Sequence, residues 1–364
     1  MEPVTHVLTG ALLARSGLNR RAAYATAAMA VAAEFPDIDT LWSLRGPVEG
    51  FAHHRGLTHS FIGLPVESAL LVAMFYGIHR WRERRHDTGR GRPLTLAPVR
   101  WGVLYALVLL ALVSHLLLDF TNNYGIRPFA PFHSQWYAAS IVFIFDPLLF
   151  ALLLVGLLLP WLLHLIQREI SSSRVRGGFM ATTPAQVVLV LIAGYYLLRL
   201  YEHGRAMQLA QAQAMAVQAG DPSTNQFLHA QRSLVSPDPL SIFRWHSVTE
   251  FAPAYQLAEI DTWRGESVPA GEPFAKANTA DPAVRAAISS PLGRAYLDWS
   301  SMPWITLQRA DPTIIPQQTT VVMLRDPRFM GDMPMMRDRT PLTAVIELNA
   351  KNEVVAETMD GRTE

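Results

Sequence analysis

The chain contains no cysteine, which excludes disulfides and thiolate metal ligands but does not decide the compartment. Charge is also scarce: 17% of residues are Asp, Glu, Lys or Arg, against about a quarter in a soluble domain. The net charge is +1, so no general attraction to nucleic acid or to an anionic lipid surface follows. A cleavable leader is not expected, because Glu2 stands where a basic n-region would be and Arg15, Arg20 and Arg21 come after the first apolar stretch. No internal repeat or low-complexity tract stands out. What is abundant is apolar surface: 50% of the 364 residues are hydrophobic. The charge deficit is concentrated in roughly the first 200 residues, which points to two regions living in different solvents.

Apolar runs at 61–78, 101–118, 141–166 and 185–200 approach the ~20 residues that cross a bilayer. Two shorter runs precede them, 4–14 and 22–33. At roughly 12 residues, or ~18 Å of helix, each is too short to span and reads as half of a helical hairpin packed into the bundle. Arginine placement orients the bundle. Arg80, Arg82, Arg84, Arg85, Arg90, Arg92 and Arg100 follow the first long run, and Arg168, Arg174 and Arg176 follow the third. Both segments, with the Arg15 to Arg21 apex, are expected in the cytoplasm. The opposite loops, 35–60 and 119–140, hold Arg45, Arg55 and Arg127 and are expected outside, as is the C-terminal region.

Beyond residue 200 the composition changes. Residues 205–220 form an Ala- and Gln-rich helical stretch, followed by Pro-rich loops and alternating segments at 245–250, 256–260, 319–324, 344–348 and 354–358. The last two, joined by 349–352, predict a β-hairpin, and 281–299 predicts helix. The expected architecture is mainly α: a polytopic transmembrane helical bundle over 1–204, a linker helix over 205–220, and a small α+β extramembrane domain over 221–364.

Under this topology four groups share the outward face: His6 near the start of the first short helix, Asp37 and Asp39 in PDID, His53, His54 and His59 in HHRGLTHS, and His115 with Asp119 in SHLLLDF. The last two are spaced i, i+4 and lie on one helical face. The arginine pattern contains no information about His or Asp, yet it gathers all of them. Imidazole and carboxylate together suit a divalent metal, zinc first and manganese or iron as alternatives, as one or two ions. Such sites activate water against a phosphate or ester.

Each residue also has a plainer role. His6 alone is more often a helix-end histidine, Asp37 and Asp39 can serve a turn, and Thr58 or Ser60 can cap the span that follows. His115 and Asp119 are costly in an apolar segment, although the two can satisfy one another. Asp146 in FIFDPLLF can be a ligand, a support or a kink residue, and His133 in APFHSQWY is a weaker candidate. Arg55 and Arg127 can bind an anionic group, and surface solvation explains them at least as well.

His6 with Gly10, PDID, HHRGLTHS, HLLLDFTNNYG and the following RPFAPF and IFDPLL resemble the YdjM-type family of bacterial inner-membrane proteins, described as membrane-bound metal-dependent hydrolases. The resemblance covers roughly residues 1–170, and HRGLTHS is its most specific element. It implies His6, Asp37, Asp39, His53 or His54, His59, His115 and Asp119 as metal ligands. The order of these residues is also similar, more distantly, to the helical zinc phosphoesterases. No clear second His-x-x-x-Asp/Glu follows Asp119, so a one- or two-metal site is the expectation.

Two functions compete. The first is a membrane-embedded metal-dependent hydrolase of an ester or phosphoester, with a lipid or lipid-linked substrate. In it Asp37 or Asp39 is ligand or general base, and His54 or His59 is ligand or proton donor. The second is a non-enzymatic transporter or envelope scaffold that uses the His/Asp cluster to bind ions or lock helices. Transport favours repeats and polar groups at the midplane, which the pattern lacks. Membrane lipids are the expected surroundings and no nucleic acid partner is expected.

Overall fold

A computed structural model describes residues 1–85, 95, 97–170, 182–219, 230–309, 319–330 and 341–363, with backbone only at 163–170, 218–219 and 363. Arg90, Arg92, Arg174 and Arg176, and the side chain of Arg168, lie outside the described residues. The chain divides into two compact units. The first comprises Met1–Ile38 and Arg55–Arg199, and the second comprises Asp39–His54 and Leu200–Glu364.

The first unit is helical. It contains α1 (Pro3–Arg15), α2 (Ala25–Ala32), α4 (Gly63–Arg85), α5 (Trp101–Thr121), α6 (Pro147–Ile170) and the first part of α7 (Thr183–Ala219). The two short helices are the expected hairpin, and α1 packs on both α2 and α5. Alanines make this close approach possible: Ala25, Ala28 and Ala32 of α2 are buried beside Met29. At the crossing, a Cβ on Gly10 would lie 2.3 Å from the Met29 carbonyl oxygen and 2.7 Å from Ala33 Cβ. Leu104, Val108, Ala111 and Leu112 of α5 and Leu64, Leu71 and Phe75 of α4 complete the core.

Among the described residues two helices are long and apolar enough to cross a membrane, Trp101–Thr121 and Thr183–Val217, or up to three if the broken pair Pro47–His59 with Gly63–Arg85 is one span. Four runs were expected. The run at 61–78 becomes α4, which buries Glu67 and ends in Arg82, Arg84 and Arg85. The run at 141–166 loses its first turn and a half because Ile141, Val142 and Phe143 are buried in a loop ahead of Pro147. The helix that follows runs from Pro147 to Ile170, its described side chains being those of Pro147–Leu162. The last apolar run and the Ala/Gln-rich stretch form one unbroken helix, α7.

The second unit is sheet-rich. One antiparallel sheet has the order β1 (Arg232–Pro237), β2 (Arg244–Glu250), β3 (Ala254–Asp261), β4 (Glu266–Pro269), with β5 (Phe274–Ala275) also on β3. Ala206 and Ala210 of α7 pack on its Val235, Trp245 and Ile260. The other sheet runs β10 (Arg362–Thr363), β9 (Val354–Met359), β8 (Ala344–Leu348), β7 (Thr320–Arg325), β6 (Trp304–Gln308). Helices α8 (Pro282–Ser289) and α9 (Pro291–Trp299) pack against it. The predicted hairpin is β8–β9, and the predicted helix at 281–299 is broken where Ser290 ends α8 and caps α9. Helix α3 (Pro47–His53) belongs to this unit, with Phe51 against Tyr296 and Trp299 at ring separations of 5.9 and 5.6 Å.

Candidate metal centre

Four elements of the helical unit deliver the site. His6 projects from the first turns of α1, where Glu2 caps the helix by accepting from the Val4 and Thr5 amides. Asp37 lies in the 3-10 stretch Phe35–Arg45 that follows α2. His59 ends the 3-10 turn Leu57–His59, held by Ser60 Oγ, which donates to the Leu57 carbonyl at 2.7 Å. His115 and Asp119 lie one turn apart on α5.

His6, His59, His115 and Asp119 are fully buried. Asp37, His59, His115 and Asp119 each offer one ligand atom to a single small volume. His59 Nε2 is 3.0 Å from His115 Nε2, 3.2 Å from Asp37 Oδ1 and 3.4 Å from Asp119 Oδ2. His115 Nε2 is 3.8 Å from Asp37 Oδ1 and 3.5 Å from Asp119 Oδ2. Four donors placed tetrahedrally 2.0–2.1 Å from a zinc-sized ion are separated by ~3.3 Å. The cluster has those dimensions.

The protonation pattern agrees. His115 Nδ1 is 2.7 Å from the Ala33 carbonyl, which can only accept, so Nδ1 carries the proton and the neutral ring turns a lone pair at Nε2 toward His59. His59 Nδ1 has Thr58 Oγ1 at 3.1 Å. Among the described residues Asp119 Oδ2 has no hydrogen-bond partner, while Oδ1 receives the Met1 amino group, Arg55 Nη2 at 2.9 Å and Asn122 Nδ2 at 3.2 Å. His115 Nε2 and Asp119 Oδ2 thus turn acceptors toward the same small volume, an arrangement that a cation among them would satisfy. The cluster could therefore hold a metal ion.

Burial alone would raise the Asp37 pKa, but the hydrogen bond from His59 and the field of the neighbouring imidazoles outweigh it and hold the carboxyl below its ordinary range. Glu34, one turn earlier, moves the other way. Burial first and the Asp37 charge second push it up to about 8.

The other sequence-predicted residues are not among these four donors. His6 stacks on His115 at 3.9 Å between ring centroids, and its Nε2 is 3.4 Å from Asp119 Oδ1, so it flanks the cluster on the other oxygen of Asp119. Asp39 and His54 belong to the second unit and pair with each other at 2.9 Å. His53, also in that unit, is half exposed, lies 3.2 Å from Glu49 and stacks on Trp42. Asp146 caps α6, accepting from the Leu148 and Leu149 amides, and takes the Tyr195 hydroxyl at 2.5 Å. His133 is exposed.

Arg55 corrects the expectation of a solvated surface residue: it is 4% exposed. Its backbone adopts a left-handed φ of 55°, a strain of about 1 kcal/mol or more for a non-glycine residue, and the guanidinium points inward. Asn122 and Glu34 were not singled out by sequence. The position of Asn122, three residues after Asp119 and just past the end of α5, was the available signal for the former.

The model of a family described as YdjM inner membrane protein matches residues 1–206 of this chain. A Bacillus subtilis (strain 168) protein described as "Uncharacterized protein YfhP" is 28% identical over 165 residues, 45% of this chain and 41% of that protein. The chain thus matches about two fifths of that relative's length. No solved structure matches.

Proposed function

We propose, from the premise that the chain belongs to the YdjM inner membrane protein family, that it is a metal-dependent hydrolase of an ester or phosphoester, embedded in the bilayer as a polytopic bundle. Asp37, His59, His115 and Asp119 hold the ion, zinc being the first choice for two imidazoles and two carboxylates. A bound divalent ion supplies Lewis acidity that brings a water's pKa toward neutrality and polarises the substrate oxygen. The chain's own groups do the rest. The Ala33 carbonyl keeps His115 in the right tautomer, and Asp37, the least buried of the four, is the side from which substrate enters. A site among membrane helices suits a lipid or lipid-linked substrate, and the arginine pattern puts site and C-terminal domain on the extracytoplasmic side.

The observation that carries this reading is the set of separations of 3.0 to 3.8 Å among four donors contributed by three separate chain segments. Complete burial of His59, His115 and Asp119 favours a second reading, in which the ion locks helices and turns nothing over. Metal analysis of purified protein, wild type against His115→Ala with Asp119→Ala, tests the site. Equal metal in both removes these residues from it. Hydrolysis of phosphoester and carboxylic ester lipids, lost on chelation and restored by zinc, separates enzyme from scaffold.

A further inference from the structure

The Asp119 carboxylate is used asymmetrically. Oδ1 is covered by the Met1 amino group, by Arg55 Nη2 at 2.9 Å and by Asn122 Nδ2 at 3.2 Å, while Oδ2 faces the two imidazoles. The guanidinium is itself fixed at further points. Nη1 donates to the Gly125 carbonyl at 2.6 Å, and Cζ lies 4.6 Å above the Tyr124 ring. The receiving loop is shaped for this. Asn122 Oδ1 accepts from the Tyr124 and Gly125 amides at 2.8 and 3.2 Å, and Gly125 has a φ of 90°. On the other side, Arg127 Nε donates to the Arg55 carbonyl at 3.3 Å.

We propose that Arg55 is a positioning residue: its guanidinium occupies one oxygen of Asp119, so that the carboxylate offers the cation a single oxygen beside His59 and His115. This rests on the metal-site reading and adds to it a specific division of labour. An arginine suits the task because a planar fork reaches carboxylate and carbonyl together while stacking on tyrosine, which the compact ammonium of lysine cannot do. The same residue sets the charge. With the imidazoles neutral, the two carboxylates are faced by the guanidinium and the Met1 amino group, so a divalent cation makes the site net positive. That sign favours an anionic substrate group such as a phosphoester over a neutral one.

The test uses the full chain in detergent, titrated with Co²⁺ and Zn²⁺, with the visible ligand-field spectrum of Co²⁺ as a reporter of coordination number. Wild type is expected to give the intense bands of four-coordinate cobalt. Arg55→Ala is expected to bind about 10–100-fold more weakly and to give weaker bands as Asp119 brings its second oxygen to the ion, and added guanidinium is expected to restore both. Should Arg55→Ala fail to fold, Arg55→Lys retains the charge without the fork and is expected to show the same spectral loss. Wild-type affinity and spectrum in either variant overturn the proposal and leave the metal site standing. No uptake of either metal by wild type overturns the metal site and this proposal with it.

Discussion

Replacing Gly10 by alanine tests how the helical unit builds its site, far from any ligand atom. Ordinary contact begins at 3.4 Å, whereas the new Cβ would meet the Met29 carbonyl oxygen at 2.3 Å and Ala33 Cβ at 2.7 Å. Helices α1 and α2 must therefore part by about 1 Å, a movement that rotamer changes cannot absorb because the atom met is backbone. Overpacking of this kind costs about 1–3 kcal/mol, and the backbone contact puts Gly10→Ala near the top of that range. The gain of roughly 1 kcal/mol in helix propensity leaves a net loss of about 2 kcal/mol. For a unit of this size that lowers the unfolding temperature by about 4–8 °C. The same movement displaces Ala33, whose carbonyl holds His115 Nδ1 at 2.7 Å. Loss of such a support costs about 10–100-fold in metal affinity. The assay is thermal unfolding of the purified chain with zinc titration, and Gly77→Ala is the control because nothing lies within 4 Å of a Cβ there. A Gly10→Ala protein that melts within about a degree of wild type and binds zinc equally well would refute the reasoning.

Tyr195→Phe removes the hydroxyl on Asp146 Oδ2 and is expected to cost about 1–3 kcal/mol with metal content unchanged, since Asp146 caps a helix. Lost metal would place Asp146 in the site instead. In the sheet-rich unit, burial acts to raise the Glu250 pKa, but Lys276 at 2.7 Å and Arg232 at 2.5 Å bring it below the ordinary 4.5. A carboxyl depressed on folding contributes stability above its unfolded value, and that contribution is lost as pH falls through the folded value. Glu250→Gln should therefore flatten the decline in melting temperature below about pH 4.5, and an unchanged acid limb counts against the pairing. Reporters fused after Ser60 and after Arg92 are expected in opposite compartments, and a shared compartment would remove the topology.

Much of this organisation is legible in the residues. The apolar runs, the β8–β9 hairpin and the i, i+4 pair on α5 follow from local periodicity, which needs no tertiary information. The convergence of PDID, HRGLTHS and HLLLDF was readable because the arginine pattern predicts a shared face for them without using the ligands. What was not legible depends on contacts between distant segments. His53 and His54 are adjacent, and nothing local says that one stacks on Trp42 beside Glu49 while the other pairs with Asp39. Arg55 resembles any loop arginine until its left-handed backbone turns it toward Asp119. Nor does hydropathy show that residues 141–146 form a buried loop instead of the start of a helix.

The carbonyl of Ala33 lies just beyond the last residue of α2, where a helix leaves its acceptors unfilled. Because main chain rather than a side chain orients His115, no codon encodes that orientation directly. Drift at residue 33 among small side chains should leave it intact. An insertion or deletion that carried α2 one residue further would erase it, so selection at this position should act on the length of the helix more strongly than on the identity of the residue.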